Sequence, residues 1–259
     1  MLNHTSGIPA YAIEGNHENA ISTLFKPGSI PGNATLIKRM IENSIKPTFK
    51  AGEKYEYSNT NYDLLASVVE KVSGMTYANF LKQNIFIPLK MSHSFIANHT
   101  PYENKSLAIG YMKDSLNKKV KPEQLKGFEP LRRTSGFVGG MGVFTTAGDL
   151  HIWITGLKTL LSTSSYQQAT SPPVFTSGGR QDEYGFGFEL GYEKDFSRIA
   201  FHFGRWPGYS SYLEHGLNNG KTIILLQNNT NENTATLIEA IKNMLYNIQP
   251  QHQRDYLQG

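Results

Sequence analysis

The sequence contains no cysteine, and that absence alone excludes several classes of site. Disulfide scaffolds, zinc ribbons, iron–sulfur clusters and thiol nucleophiles all need a residue that this chain does not have. No apolar run approaches the roughly 20 residues of a membrane-spanning helix, so the sequence predicts no transmembrane segment. Charged residues make up only 18% of the chain and hydrophobic residues 39%, a composition that excludes wholesale disorder.

The chain also lacks a concentrated block of one charge. Its net charge is +4, but its 25 lysines and arginines are scattered along the sequence. The densest cluster, in residues 113–126, is interrupted by Asp114 and Glu123 and is typical of a solvated loop. We therefore expect no nucleic-acid partner.

Glycine and proline punctuate the chain without forming a long linker, which favours one domain over residues 1–259. Helical periodicity marks a mainly helical region, residues 34–180. Its predicted helices cover residues 34–44, residues 61–73 ending at Gly74, a segment capped by Thr76, and a segment capped by Thr145 or Thr146. Residues 107–112 and the region around Val120 are predicted to pair as a hairpin.

The last third, residues 181–247, has the pattern of antiparallel strands followed by a helix. Strands are predicted at residues 184–190, 198–203, 209–215 and 222–227, with a tight turn at 217–220 and a closing helix at about 233–246. Helices followed by an antiparallel meander with a packed C-terminal helix indicate the α+β class.

Several catalytic motifs are missing. There is no P-loop, no G-x-S-x-G nucleophile elbow and no H-x-x-x-H pair among the eight histidines. We therefore expect neither a metal nor another cofactor, and the possible nucleophiles reduce to serine, threonine, lysine or tyrosine.

Two segments have the composition of a reaction site. Tyr57-Ser58-Asn59 precedes a predicted helix, where cations and amide dipoles can lower the pKa of a tyrosine and make it a general base. His202 ends one predicted strand, and Gly204 two residues later permits close approach of another backbone or a ligand. Taken singly, the first is better explained by an ordinary capping loop and the second by a half-buried strand histidine.

Taken together and in order, these segments resemble the serine β-lactamase and penicillin-binding-protein superfamily, in its class C, D,D-peptidase and esterase branch. The matching segments are Leu2-Asn3-His4-Thr5-Ser6-Gly7, residues 50–93, Gly139-Gly140-Met141-Gly142 with the residues after it, and residues 202–211. The resemblance extends over nearly the whole chain, and it is poor only at residues 94–135.

The resemblance implies a cleft between a helical region and an antiparallel sheet, with an acyl-serine mechanism. By it, Tyr57 exchanges protons with the nucleophile and the leaving group, and Asn59 contacts the substrate or a lysine. His202 supplies the third-motif polar or cationic group. Ser58, Gly204 and the Arg205 backbone N–H belong to the substrate and oxyanion contacts. The substrate class is a small molecule or a peptidoglycan-type peptide, and the location is the bacterial envelope, the periplasm or the exterior.

Two departures qualify these implications. The superfamily's Ser-x-x-Lys segment lies upstream of the motif that begins here at residue 2, so we expect the nucleophile, the N-terminal strands and any signal peptide to lie upstream of Met1. The one Ser-x-x-Lys present, Ser115-Leu116-Asn117-Lys118, lies in the predicted lysine-rich hairpin and is interpreted as coincidence. Phe203 stands where the superfamily usually has a small residue, often threonine or serine.

Three hypotheses follow. The chain is the later part of a serine hydrolase and is inactive alone, or it is a non-catalytic module that keeps the cleft, or it is a fragment that folds poorly because its sheet has lost strands. The sequence leaves the oligomeric state open.

Overall fold

A computed structural model describes residues 1–10, 32–96, 107–125, 136–171, 184–230 and 233–246. The boundary predicted at residues 180 and 181 lies outside these residues, so the division of the domain stays a prediction. Within them, no helix is both long enough and apolar enough to cross a membrane.

The first helices form as their sequence patterns predict. Helix α1 spans Asn33–Glu42 and α2 spans Asn59–Ser73. Helix α2 ends at Gly74, which adopts φ 70° as a left-handed C-terminal cap, a conformation that glycine enters without steric cost. Helix α3, Tyr77–Leu81, begins at Thr76, whose side chain accepts a hydrogen bond from the Asn79 amide. It continues as a π-helical turn over Lys82–Phe86, which the sequence pattern did not predict.

Two short strand pairs follow in the middle of the chain. Strand β1, Phe95–Ile96, pairs antiparallel with β4, Val143–Phe144. Strands β2, Met112–Lys113, and β3, Lys119–Val120, pair antiparallel and confirm the predicted hairpin.

Helix α4, Ala147–Leu160, begins at Thr146, whose hydroxyl accepts a hydrogen bond from the Asp149 amide. Helix α5 covers Thr163–Ala169. The sequence left Thr145 and Thr146 as alternative caps, and the structure selects Thr146.

The main sheet has four antiparallel strands in chain order: β5 (Glu189–Tyr192), β6 (Arg198–Trp206), β7 (Tyr209–Gly216) and β8 (Thr222–Gln227). The strand predicted from Tyr184 was wrong in its position. Gly185 and Gly187, the latter at φ 79°, turn the chain there, so the strand begins only at Glu189 and Tyr184 keeps a single bridge to it.

Helices cover both faces of this sheet. One face packs on α4 through Ile154, Leu157, Phe188, Leu190, Ala200 and Leu213. The other packs on the closing helix α6, Thr234–Leu245, through Tyr212, Ile223 and Ile238. Burying apolar residues on both faces gives the sheet its rigidity, so β6 and β7 can hold side chains in fixed positions. The observed fold confirms the predicted α+β architecture.

Candidate active site

Tyr57 and Asn59 lie at the N-terminus of α2, as the sequence predicts. Ser58 is the N-cap residue of the helix, and Tyr57 immediately precedes it. The Tyr57 hydroxyl donates a hydrogen bond to Asn59 Oδ1 at 3.1 Å. Tyr57 is 44% exposed, so its hydroxyl can meet a molecule from outside.

The segment at residues 2–7 holds this loop in place. The Glu56 amide donates to the His4 carbonyl at 3.0 Å and the Gly52 amide donates to the Thr5 carbonyl at 2.7 Å. Gly7 has φ 74°, and a Cβ on it would stand 2.3 Å from the Phe49 carbonyl oxygen. The backbones therefore approach too closely for any side chain at this position.

The glycine-rich segment at residues 139–142 packs against the same helix end. A Cβ on Gly139 would stand 2.2 Å from the Tyr62 carbonyl oxygen, and the Gly140 amide donates to Asp63 Oδ1 at 3.0 Å. Asp63 is completely buried. The glycines therefore allow a loop to close directly over the first turns of α2.

His202 faces this helix end from strand β6. Its ring centroid lies 6.1 Å from that of Tyr57. Its Nε2 is 3.2 Å from the Tyr184 hydroxyl, and its Nδ1 is 2.6 Å from the Phe203 carbonyl oxygen. The structure thus brings His202 to Tyr57 and Asn59, although more than 140 positions separate it from them in the sequence.

The remaining predicted residues occupy different surroundings. Ser58 is buried, and its amide donates to His4 Nδ1 at 3.1 Å. Arg205 lies exposed on β6, opposite Ser210 in the register. A Cβ on Gly204 would stand 2.2 Å from Ser211 Oγ on β7, so the close approach predicted at this glycine is that of a neighbouring strand's side chain. Whether Ser58, Gly204 and the Arg205 amide contact a substrate stays a prediction.

Phe203 points away from this cluster. Its ring packs 4.6 Å from that of Tyr212, on the sheet face that carries α6. His202 alternates with it and belongs to the opposite face, because successive strand residues point to opposite sides. The aromatic side chain at this motif position therefore leaves the space between Tyr57 and His202 free.

The electrostatic surroundings of Tyr57 differ from the predicted ones. Partial burial raises the pKa of Tyr57, and the negative charges of Glu189 and Asp63 raise it further. The sequence position before a helix had indicated a lowered pKa. The prediction failed because burial in the folded protein has the largest effect, and because Glu189 lies 132 positions away in the sequence. Burial likewise raises the pKa of Tyr55, to about 12.

His4 and Tyr184 belong to the site although sequence reasoning did not select them. His4 is completely buried, and its Nε2 lies 3.1 Å from the Tyr184 hydroxyl. Burial is the largest of the causes that lower the pKa of His4 to about 4. The sequence could have selected His4, since it stands inside one of the matching motifs. Tyr184 was assigned to a strand, and no sequence feature marked it as a site residue.

The Ser-x-x-Lys at Ser115–Lys118 lies at the tip of the β2–β3 hairpin. The amides of Leu116 and Lys118 both donate to Asp114 Oδ1, and Asn117 has φ 62°. Leu116 is 85% exposed. A serine nucleophile and its lysine need a fixed and sheltered helix, whereas these residues form an exposed turn. This agrees with the interpretation of the Ser-x-x-Lys match as a coincidence.

Comparison with known proteins identifies relatives along nearly the whole chain. Residues 1–245 match the protein family described as Beta-lactamase. Penicillin-binding protein 4* of Bacillus subtilis is 31% identical over 258 residues, covering 95% of this chain and 54% of the relative. A D-aminopeptidase of Gluconobacter oxydans is 24% identical over 193 residues, covering 74% of this chain and 34% of the relative. The chain thus spans about half the length, or less, of these curated relatives.

Solved structures agree in fold. A penicillin-binding protein from Bacillus halodurans aligns with TM-score 0.72 and 21% identity over 93% of this chain and 70% of its own. A D-amino acid amidase from Ochrobactrum anthropi SV3 aligns with TM-score 0.67 and 22% identity over 95% of this chain and 76% of its own. These matches confirm the resemblance to serine hydrolases predicted from four motifs. The chain belongs to the beta-lactamase family, within the superfamily of serine β-lactamases and penicillin-binding proteins.

Proposed function

We propose that this chain forms two walls of an acyl-transfer site whose serine nucleophile comes from a Ser-x-x-Lys segment outside these 259 residues. Tyr57 acts as the general base and acid, Asn59 orients it and contacts the substrate or the lysine, and His202 completes the opposite wall. The observation that carries the proposal is the position of the Tyr57 ring, which lies 6.1 Å from that of His202 while its hydroxyl is bonded to Asn59.

The reaction needs a proton acceptor for the serine hydroxyl. The Tyr57 phenolate takes that proton as the serine oxygen bonds to the substrate carbonyl carbon. Tyr57 then returns the proton to the leaving amine or alcohol as the acyl bond breaks. Water later attacks the serine ester. Tyr57 takes a proton from the water and passes it to the serine oxygen as the ester bond breaks and the acid is released. Each of the two stages forms one acyl bond and breaks another, and Tyr57 ends as the phenolate with which it began.

The raised pKa of Tyr57 supports a nucleophile and lysine that come from a segment outside these 259 residues. Glu189 and Asp63, both negative, keep the pKa of Tyr57 above its ordinary value, after the larger effect of burial. A lysine ammonium entering beside the hydroxyl opposes both carboxylates and stabilises the phenolate. The segment that supplies the serine therefore also supplies the lysine that stabilises the Tyr57 phenolate. Without that segment, the chain alone is catalytically inactive.

The relatives suggest the substrate class and the location. A D-aminopeptidase and a D-amino acid amidase support an amide or peptide of a D-amino acid as substrate, and the penicillin-binding relatives add a β-lactam. A small ester suits the same cleft. The same penicillin-binding relatives support a place in the cell envelope or outside the cell. Peptidoglycan-type peptides would then be the natural partners.

The test combines sequencing and covalent labelling. The DNA upstream of residue 1 is sequenced, and any in-frame Ser-x-x-Lys segment is expressed together with this chain. A fluorescent penicillin and a fluorophosphonate are applied to both forms, and adducts are located by intact-mass analysis. We expect an adduct on the upstream serine of the extended protein and none on the 259-residue chain.

Matched tyrosine variants test the role of Tyr57. In the extended protein, Tyr57→Phe should slow acylation about 100-fold or more, the usual effect of removing a general base. Tyr55→Phe removes a hydroxyl from the same loop and should leave the rate within about twofold. An adduct on the shorter chain would contradict the proposal. An upstream frame without Ser-x-x-Lys would favour the alternative, a non-catalytic module.

A further inference from the structure

We propose that Tyr184 is a positioning residue that joins His4 to His202 in one directed hydrogen-bond chain, running from the Ser58 amide to the Phe203 carbonyl. In this series of hydrogen bonds, His4 carries its proton on Nε2 and His202 carries its proton on Nδ1. The inference relies on the proposed function only for the statement that His202 lines an active site. The direction of the hydrogen bonds follows from the contacts themselves.

The direction is set at the His4 end by two donors. The Ser58 backbone N–H donates to His4 Nδ1 at 3.1 Å, and Asn61 Nδ2 lies 3.3 Å from the same atom. The Asn61 amide is oriented by Ser6, whose hydroxyl donates to Asn61 Oδ1. His4 Nδ1 must therefore accept, and in the neutral ring the proton is on Nε2. Burial lowers the pKa of His4 to about 4, which keeps the ring neutral near pH 7.

The direction is set independently at the His202 end. Nδ1 of His202 lies 2.6 Å from the Phe203 carbonyl oxygen, a group that can only accept. Nδ1 must therefore carry a proton, and Nε2 of the neutral ring is left as an acceptor. This assignment does not depend on the state of His4.

Tyr184 connects the two ends. Its hydroxyl oxygen lies 3.1 Å from His4 Nε2 and 3.2 Å from His202 Nε2. It accepts from His4 and donates to His202. The Tyr62 hydroxyl, which donates to the Leu2 carbonyl oxygen, also hydrogen-bonds to Tyr184, so Tyr62 competes with His202 for the single Tyr184 proton. We assign that proton to His202 Nε2, because the neutral ring with a protonated Nδ1 needs a donor there. The reverse direction would point the Ser58 amide at a protonated His4 Nδ1 and the Phe203 carbonyl at a bare His202 nitrogen. Tyr184 is 2% exposed, and a mismatched donor or acceptor there would be left without a partner or access to water.

This arrangement changes the role available to His202. Both of its ring nitrogens are already bonded within the protein. A neutral His202 therefore lines the wall with the carbon edge and face of its ring, and a substrate group that bonds to Nε2 must first displace the Tyr184 hydroxyl. Tyr184 and His4 thus determine what the third motif presents to a substrate, and the segment at residues 2–7 takes part in the site.

Nitrogen-15 NMR of the folded 259-residue chain tests the assignment directly. The chain is labelled in its histidines, and long-range proton–nitrogen spectra are recorded near pH 7, with signals assigned from His4→Gln and His202→Gln variants. We expect His202 to show a protonated Nδ1 and an unprotonated Nε2, and His4 the opposite pattern. A protonated Nε2 on His202, or a protonated Nδ1 on His4, would overturn the proposal.

Matched hydroxyl deletions then test Tyr184. Tyr184→Phe should shift the His202 Nε2 resonance toward that of an unbonded nitrogen and speed exchange of the His4 Nε2 proton. Tyr55→Phe, whose ring lies 5.7 Å from Tyr184, should leave both signals in place. An unchanged His202 Nε2 resonance in folded Tyr184→Phe would refute the role. Should that variant not fold, the spectrum of the unaltered chain still decides the assignment. No substrate is present, so failed acylation would contradict only the proposed function.

Discussion

The main sheet separates two buried polar clusters that are built on different principles. On the face toward α4, the site-side cluster of His4, Tyr184 and His202 is joined by hydrogen bonds between two imidazole rings and a phenol hydroxyl. On the face toward α6, the helix-side cluster of Tyr212, Glu214, Lys242 and Glu193 is joined by ion pairs. The two clusters are carried by neighbouring strands, yet only one of them lies at the candidate active site.

The helix-side cluster holds α6 to the sheet. Lys242 of α6 pairs with Glu193 and, at 2.6 Å, with Glu214 on β7. Burial lowers the pKa of Lys242, but the hydrogen bonds and charges of the two glutamates outweigh it and raise the pKa above its ordinary value. Glu214 is 1% exposed, so its pair with Lys242 is shielded from water.

The contrast suggests that the two clusters have different roles, one in stability and one in the site. Strong ion pairs suit a permanent junction, because losing one partner leaves a buried charge. A neutral, directed chain suits a site, because it fixes side chains in place and adds no formal charge next to a general base. Changes to single side chains should therefore affect the two clusters unequally, and the largest effect is expected at the buried lysine.

Removing the lysine should have the largest effect on stability. Lys242→Met leaves two buried carboxylates without their cation, and we expect a loss of about 3–5 kcal/mol in the free energy of unfolding. Lys194→Met is the matched control, since Lys194 forms an exposed ion pair with Glu239, a residue of α6. Losing that exposed pair should cost about 0–1 kcal/mol. Urea denaturation measures both, and equal losses would contradict the contrast.

Acid should act on the site-side cluster through His4. Its folded-state pKa of about 4 lies below the ordinary 6.5, so the unfolded chain binds more protons between these values. Stability should therefore fall by about 3 kcal/mol as the pH drops from about 6.5 to 4, and this contribution should stay constant below that range. In the His4→Asn variant, the free energy of unfolding measured across this pH range should no longer show this fall of about 3 kcal/mol. The exposed control His151→Gln should keep it, and an unchanged slope in His4→Asn would refute the prediction.

Deleting the hydroxyl of Tyr212 should weaken the helix-side cluster alone. That hydroxyl donates to the Glu214 carboxylate, and a hydrogen bond to a charged group contributes about 1.5–3 kcal/mol. We expect Tyr212→Phe to lose about 2 kcal/mol in urea denaturation. The His202 nitrogen resonances should not move, because Tyr212 lies on the other face of the sheet. A shifted His202 signal would show that the clusters are coupled.

The smallest effect is expected at Gly204, beside His202 on the site face. Gly204→Ala places a Cβ 2.2 Å from Ser211 Oγ, and the serine side chain must rotate away, at a cost of about 1 kcal/mol. Ser211→Ala in the same chain should restore most of this loss. A double-mutant cycle by thermal unfolding measures the coupling, and additive losses would show that another contact is responsible.

Local features were predictable where one residue decides the geometry. Gly74 ends α2, Gly220 at φ 71° turns the last hairpin, and strand β8 has the predicted bounds. Prediction failed at Tyr184, because alternation of apolar and polar residues resembles a strand even where Gly185 and Gly187 turn the chain. It failed again for the pKa of Tyr57, which depends on burial in the folded protein and on the charge of Glu189, 132 positions away.

The sequence by itself determined the α+β class, the family through its ordered motifs, and the choice of Tyr57, Asn59 and His202. The absence of cysteine means that none of these 259 residues can supply a thiol to the site. Tertiary structure alone decided that His4 and His202, 198 positions apart, share Tyr184 as a partner. Sequence patterns record local backbone preference and burial, whereas the direction of a hydrogen-bond chain depends on which donors and acceptors the packed sheet and helices bring together.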